Sequence, residues 1–199
     1  LCMEKEYEFS RVSSLQKENY PNEGNTIPLV RRIPKGSHDV TSLFLKLRKG
    51  PHSFILEGVR QGSNVDRFVV MGTEPYQVIS TGSKNDEYED PLIRLKQEIQ
   101  KVKIVKTSNL PDSLPLAECG AVGYISYDCV RYFEPRVNSF IEQQKNVMNL
   151  PESSWMFFHS LIAIDNETKE ILLISLCRLD GNNLMDDYNL SVSRLNQLE

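Results

Sequence analysis

The sequence predicts an α+β fold of mainly antiparallel sheets, a two-layer sandwich with a few flanking helices, and three observations carry that prediction. β-branched and aromatic runs come in pairs joined by turn-length polar segments, as in Ser53–Val59 and Asp66–Met71 around Arg60–Asn64. Apolar stripes with helical period are few and lie far apart. The regular alternation of strand and helix that a parallel sheet requires is missing, which disfavours a Rossmann layout.

Taken in order, residues 1–25 are rich in Glu, Lys, Ser and Asn, with Pro21 and Gly24 near their end, and read as a mostly irregular polar lead-in. A main domain is expected over residues 26–180, opening with a strand at Thr26–Ile33. Ser37 or Asp39 then caps a helix in which Val40, Leu43, Phe44 and Leu47 form one apolar stripe, ended by Gly50 and Pro51. After the first hairpin, Tyr76–Thr81 adds a strand and Gly82–Glu89 a solvated loop. Asp90 and Pro91 open a second helix as cap and first helical residue, with Leu92, Leu95, Ile99 and Val102 expected to face inward.

Pro111 and Pro115 bracket a loop before a strand at Glu118–Asp128 and a helical turn at Cys129–Glu134, closed by Pro135. Trp155–Ile164 and Glu170–Cys177 read as a second hairpin around Asp165–Thr168. Leu184, Tyr188, Val192, Leu195 and Leu198 place one stripe on a terminal helix within residues 181–199.

Composition narrows the function. A chain of 199 residues can bury one ordinary core, and 40% hydrophobic with 25% charged residues places it among globular proteins. The net charge is −4 with Lys and Arg scattered, so no basic stripe exists to neutralise a phosphate backbone and no nucleic-acid partner is expected. The apolar runs Trp155–Ile164 and Ile171–Cys177 are too short to span a bilayer, and no membrane partner is expected. Cys2, Cys119, Cys129 and Cys177 show neither a C-x-x-C pair nor metal-ligand spacing, which suits reduced cysteines in the cytoplasm. An organelle address upstream of Leu1 is left open.

Phosphate-cradling, dinucleotide-binding, G-x-S-x-G and H-E-x-x-H motifs are all absent, and His38, His52 and His159 lie far apart. No catalytic or metal-ligating residue is assigned. The local oddity is Glu57, a carboxylate on a strand beside Ile55 and Val59, followed by Gly58. If the hairpin closes as read, Arg67 lies opposite Gly58 and diagonal to Glu57. Two readings stand: a cross-strand ion pair worth at most about 1 kcal/mol, or a cradle in which Glu57 takes the ammonium and Arg67 the carboxylate of an amino acid. Gly58 is then either room for a ligand or simply a bulge. Gly120, Ala121 and Gly123 permit close approach of another backbone.

These two stretches resemble anthranilate synthase component I. Phe54-Ile55-Leu56-Glu57-Gly58, Asp66–Gly72 and Pro75 are similar to the family's "SFLLES…GRYSFIG…P". Gly120, Val122-Gly123-Tyr124, Tyr127-Asp128, Val130-Arg131-Tyr132 and Glu134 are similar to its "GGxVGYxxYDxVRYxE". The resemblance covers most of the chain from Thr26 onward.

It implies an enzyme component that converts chorismate and ammonia, supplied by a glutamine amidotransferase subunit or domain, to anthranilate and pyruvate in tryptophan biosynthesis. The family's chemistry belongs to a chorismate-binding region that uses Mg²⁺; the chain is expected to stop before it, to carry no cofactor itself and to be inactive alone. The resemblance further implies that Leu56, Glu57, Gly58 and Arg67 form one wall of an allosteric tryptophan site. The family usually has Ser where this chain has Gly58, which removes a hydroxyl and on the order of 1 kcal/mol, roughly fivefold in affinity. Aminodeoxychorismate synthase component I and a free-standing amino-acid-binding module are the alternatives.

Overall fold

Among the described residues, helices α1 (Phe9–Asn19), α2 (Val40–Leu47) and α3 (Pro91–Ile99), the short α4 (Val130–Phe133) and the terminal α5 (Leu184–Leu198) are interspersed among eight strands. The strands are β1 (Thr26–Pro34), β2 (Ser53–Val59), β3 (Val65–Thr73), β4 (Gln77–Thr81), β5 (Ala121–Ile125), β6 (Ser153–Phe157), β7 (Ser160–Asp165) and β8 (Glu170–Arg178). The computed structural model describes residues 8–20, 23–59, 65–82, 90–107, 110–111, 114, 120–137 and 150–199. Every pairing between these strands is antiparallel, in one sheet ordered β1-β8-β7-β3-β2 and another ordered β4-β6-β5, so the fold is α+β as expected. No helix among the described residues is long and apolar enough to cross a membrane.

The chain divides into two units, the first holding the five-stranded sheet and the second, Tyr76–Lys101 with Gly120–Phe157, the three-stranded one. In the first unit β8 pairs with β1 from Thr26–Arg178 to Pro34–Glu170 and with β7 on its other edge. All seven residues from Ile171 to Cys177 are buried, so β8 is covered on both faces. On one face Val69, Met71, Ile162, Ile164 and Leu173 join Val12 and Leu15 of α1 and Leu195 of α5 in a single core cluster. Each such side chain contributes about 1.5–3 kcal/mol of transfer free energy when fully buried.

Local chemistry sets the boundaries. The Asp39 carboxylate accepts from the Ser42 backbone N–H at 3.0 Å and starts α2, and Asp90 accepts from Leu92 N–H at 2.8 Å with Pro91 as the first residue of α3. Asn183 caps α5 through Met185 N–H at 3.0 Å. Gly50, at φ +72°, takes the left-handed turn that follows α2.

Three expectations need correction. The lead-in is not irregular: Phe9–Asn19 is helical, Val12 and Leu15 reach the core, and the Gln16 amide donates to the Leu179 carbonyl at 2.6 Å. A stripe of only two core residues amid Ser, Lys and Glu gave too faint a period to read. On α3 the expected inward stripe is not inward, since Leu92 and Ile99 are exposed while Pro91 and Glu98 are buried. Glu98 is tolerated there because Lys101 donates to it at 2.6 Å. The run Trp155–Ile164 is two strands, β6 in one sheet and β7 in the other, because a continuous apolar run carries no mark of a change of sheet. Residues 60–64, residues 83–89 and residues 115–119, which include both expected loops and the start of the Glu118–Asp128 strand, lie outside the described residues.

The β7–β8 hairpin turns on Asp165, whose side chain is 1% exposed. Its carboxylate accepts from Glu167 N–H at 2.9 Å, Thr168 N–H at 3.3 Å and Arg67 Nη2 at 2.8 Å. Burial alone would raise its pKa, but the Arg67 guanidinium and the two backbone donors outweigh it and hold the carboxyl below the usual carboxylate range. Lys169, at φ +59°, completes the turn. In the second unit Gly123 faces Ser154 and Trp155 of β6 so closely that any β-carbon would collide with the Ser154 carbonyl.

Two measurements test this account. Leu195→Ala removes a fully buried side chain and is expected to cost about 2–5 kcal/mol in denaturant unfolding, whereas Leu92→Ala stays within about 0.5 kcal/mol. Comparable losses for the two would restore the inward stripe on α3. Asp165→Asn is expected to cost about 1.5–3 kcal/mol at neutral pH. Because the folded pKa is depressed, that contribution is present above the unfolded pKa near 4 and is lost as pH falls through the lower folded value. The difference between wild type and variant should therefore narrow in acid.

Candidate functional site

The residues singled out in the sequence gather at one end of the β2–β3 hairpin. Leu56 pairs with Val70 and Glu57 with Val69, after which the register shifts and Val59 meets Val65. Across this irregularity the three residues Asp66, Arg67 and Phe68 stand opposite the single residue Gly58, so Gly58 marks a bulge. Arg67 thus sits where the hairpin argument put it, across from Gly58 and diagonal to Glu57.

Its partner is different. The Arg67 guanidinium forks onto Asp165, with Nε 3.2 Å from both carboxylate oxygens, and Nε also lies 3.0 Å from a Glu167 oxygen. It rests over the Phe68 ring at 4.8 Å. The hydrogen bond from Arg67 to Asp165 raises its pKa above the ordinary arginine value despite partial burial. The cross-strand pair with Glu57 is therefore not formed. Arg67 reaches along the sheet to β7, a neighbour that the local hairpin argument did not include.

Glu57 is exposed and makes no ion pair or hydrogen bond among the described residues, and Leu56 is also exposed. The Arg67 Nη1 group likewise has no bonded partner among them. What the hairpin end offers is an open carboxylate beside a guanidinium already held in place by two acids. Such a carboxylate can accept hydrogen bonds from a cation, and the remaining N–H groups of Arg67 can donate to an anion.

Sequence reasoning passed over a second polar cluster. Arg131 and Tyr132 lie on α4, and both reach Glu152 at the threshold of β6; the Arg131–Glu152 ion pair is close, and the Tyr132 hydroxyl donates to Glu152 at 2.9 Å. Arg131 and Glu152 expose only 9% and 12% of their side chains, so both charges depend on each other. Burial pulls the Arg131 pKa down, but Tyr132 and Glu152 more than restore it, and burial pushes the Tyr132 phenol up. The Ser126 N–H donates to the Glu152 carbonyl and the Glu152 N–H to that of Thr81, which stitches all three strands of the small sheet. The signal lay in the Val130-Arg131-Tyr132 part of the second motif, but its acid is a distant residue. This cluster has the character of a structural clamp.

Cys129 and Cys177 are both free and buried, and burial pushes their thiols up, to about 11 for Cys177, so neither is an activated nucleophile. Among the described residues no group of three or more His, Cys, Asp or Glu is placed to hold a metal ion.

Comparison with known proteins adds identity to this geometry. The family described as chorismate binding enzyme matches residues 51–196. The chain is 34% identical over 190 residues to probable anthranilate synthase component 1 of Schizosaccharomyces pombe, covering 94% of this chain and 36% of the relative. It is 33% identical over 184 residues to anthranilate synthase component 1 of Saccharomyces cerevisiae, covering 89% and 35% respectively. A crystal structure of anthranilate synthase component I from Streptococcus pneumoniae covers 83% of the chain and 35% of its own at 20% identity and TM-score 0.49, a likeness too slight to bear on function. The chain thus spans about a third of the length of its curated relatives. The family match begins at Pro51, inside the part of the chain expected to precede the chorismate-binding region. With 146 of its 199 residues inside the match (196 − 51 + 1), the chain belongs to the chorismate binding enzyme family, and the relatives that match nearly all of it are components 1 of anthranilate synthase.

Proposed function

We propose that this chain is the amino-terminal regulatory and scaffold part of an anthranilate synthase component I. The observation that carries the reading is the match of 94% of the chain to one relative of that name and 89% to another, each over about a third of the relative's length. The complete enzyme would convert chorismate and ammonia to anthranilate and pyruvate with a glutamine amidotransferase partner, at the head of tryptophan synthesis. Among the described residues no three His, Cys, Asp or Glu gather where they could hold the Mg²⁺ that the resemblance implies, and no step is assigned to it.

In this reading the hairpin end supplies part of the tryptophan feedback site. Glu57 accepts hydrogen bonds from the ligand ammonium. Asp165 positions Arg67, whose Nη1 donates to the ligand carboxylate. Leu56 offers apolar surface beside them, and Gly58 stands at the bulge where the family usually carries a serine hydroxyl. Asp165 is a positioning residue that the sequence argument did not contain.

Two experiments test the proposal. Incubating the chain with chorismate, Mg²⁺ and ammonium should give no anthranilate fluorescence above background, and turnover would relocate the active site into these residues. Titration calorimetry should find tryptophan binding weaker than micromolar. Gly58→Ser should tighten it roughly fivefold and Glu57→Ala should abolish it. Unchanged heats in both variants would remove the hairpin end from the inhibitor site.

A further inference from the structure

A separate cavity of about 260 Å³ opens in the first unit between the end of α2, the ends of β3 and β7, and the last turns of α5. None of Leu56, Glu57, Gly58 and Arg67 lines it. One side is apolar, formed by Phe44 and Leu47 of α2 and Leu198 of α5. Three cations, Lys46, Lys49 and Arg194, line it against one carboxylate, Glu74, which Lys49 already engages at 3.0 Å. The excess of positive charge is local, since the whole chain carries −4.

Arg194 is the informative group. It is partly buried, yet among the described residues it makes no hydrogen bond or ion pair. Burial lowers its pKa, opposed by the charge of Asp187 two turns earlier on α5. A guanidinium drawn partly out of water without a carboxylate at hydrogen-bond distance is a state that an anion would relieve. His159 beside it does not add charge: burial and the Arg194 and Arg178 charges lower its pKa to about 4, leaving a neutral imidazole at pH 7.

We propose that this cavity binds a small amphipathic carboxylate, its anionic group on the free guanidinium of Arg194 with Lys46 alongside, and its apolar body against Phe44, Leu47 and Leu198. The planar fork of arginine matches a carboxylate with two parallel N–H bonds. The volume lies just below the roughly 300–1,000 Å³ of sites that take drug-sized molecules, which suits a single ring or a short branched chain. Inorganic phosphate satisfies the charge and leaves the apolar wall wet, and a neutral ring does the reverse. The ligand that fits both halves carries one of each.

Benzoate is the probe, titrated into the chain by calorimetry at neutral pH, with benzyl alcohol and inorganic phosphate as the two half-matched controls. Benzoate should bind saturably in the roughly millimolar range or tighter, and each control at least tenfold more weakly. Arg194→Gln should weaken benzoate at least tenfold at unchanged melting temperature, and Arg194→Lys should recover part of the loss. Should Arg194→Gln unfold, Lys46→Gln at the exposed rim carries the same test, with about a threefold loss expected. No saturable benzoate binding, equal binding by the folded Arg194→Gln variant, or phosphate binding as tight as benzoate overturns the proposal.

Discussion

The burial of β8 on both faces is the constraint from which the first unit follows. A strand whose residues from Ile171 to Cys177 are all inaccessible cannot border water on either side, so its neighbours are obliged to pair with it and other elements to cover it. Pairing with β1 brings residues from the start of the chain beside residues near its end. The covering of one face then draws in α1 and α5, which is why the amino-terminal helix is part of the core. The Ser191 hydroxyl on α5 shares its proton between the Asp187 carbonyl at 2.9 Å and the Leu176 carbonyl at 3.3 Å, which brings that helix close against the strand.

Much of this was legible because the signals were local. Asp39, one of two cap candidates, and Asp90 announced helix starts, Gly50 a stop, and the β-branched and aromatic run Ser53–Val59 a strand that the structure reproduces to the residue. What escaped depended on partners remote in sequence. The apolar residues of α1 meant little without the cluster they join, and the exposed stripe on α3 looked inward because amphipathicity names a greasy side without saying that anything covers it. The change of sheet after Phe157 left no trace in a run that is apolar in both strands.

The same distinction governs the candidate site. Glu57, Gly58 and Arg67 could be brought together from hairpin spacing alone, and the bulge at Gly58 was one of two readings open for a strand glycine. The partner of Arg67 could not, since Asp165 lies nearly a hundred residues away and enters only through the pairing of β3 with β7. Two motif stretches sufficed to suggest the family, and the match over residues 51–196 secures it. A motif match is a statement about local sequence, and an ion pair is a statement about topology.

The clamp of Arg131 and Tyr132 on Glu152 has a consequence for how the chain tolerates change. These residues stand on either side of the stretch 138–149 and hold its flanks together whatever lies between them. Removing one partner alone would leave the other charge largely buried without its counter-ion, so these positions are expected to change together or not at all.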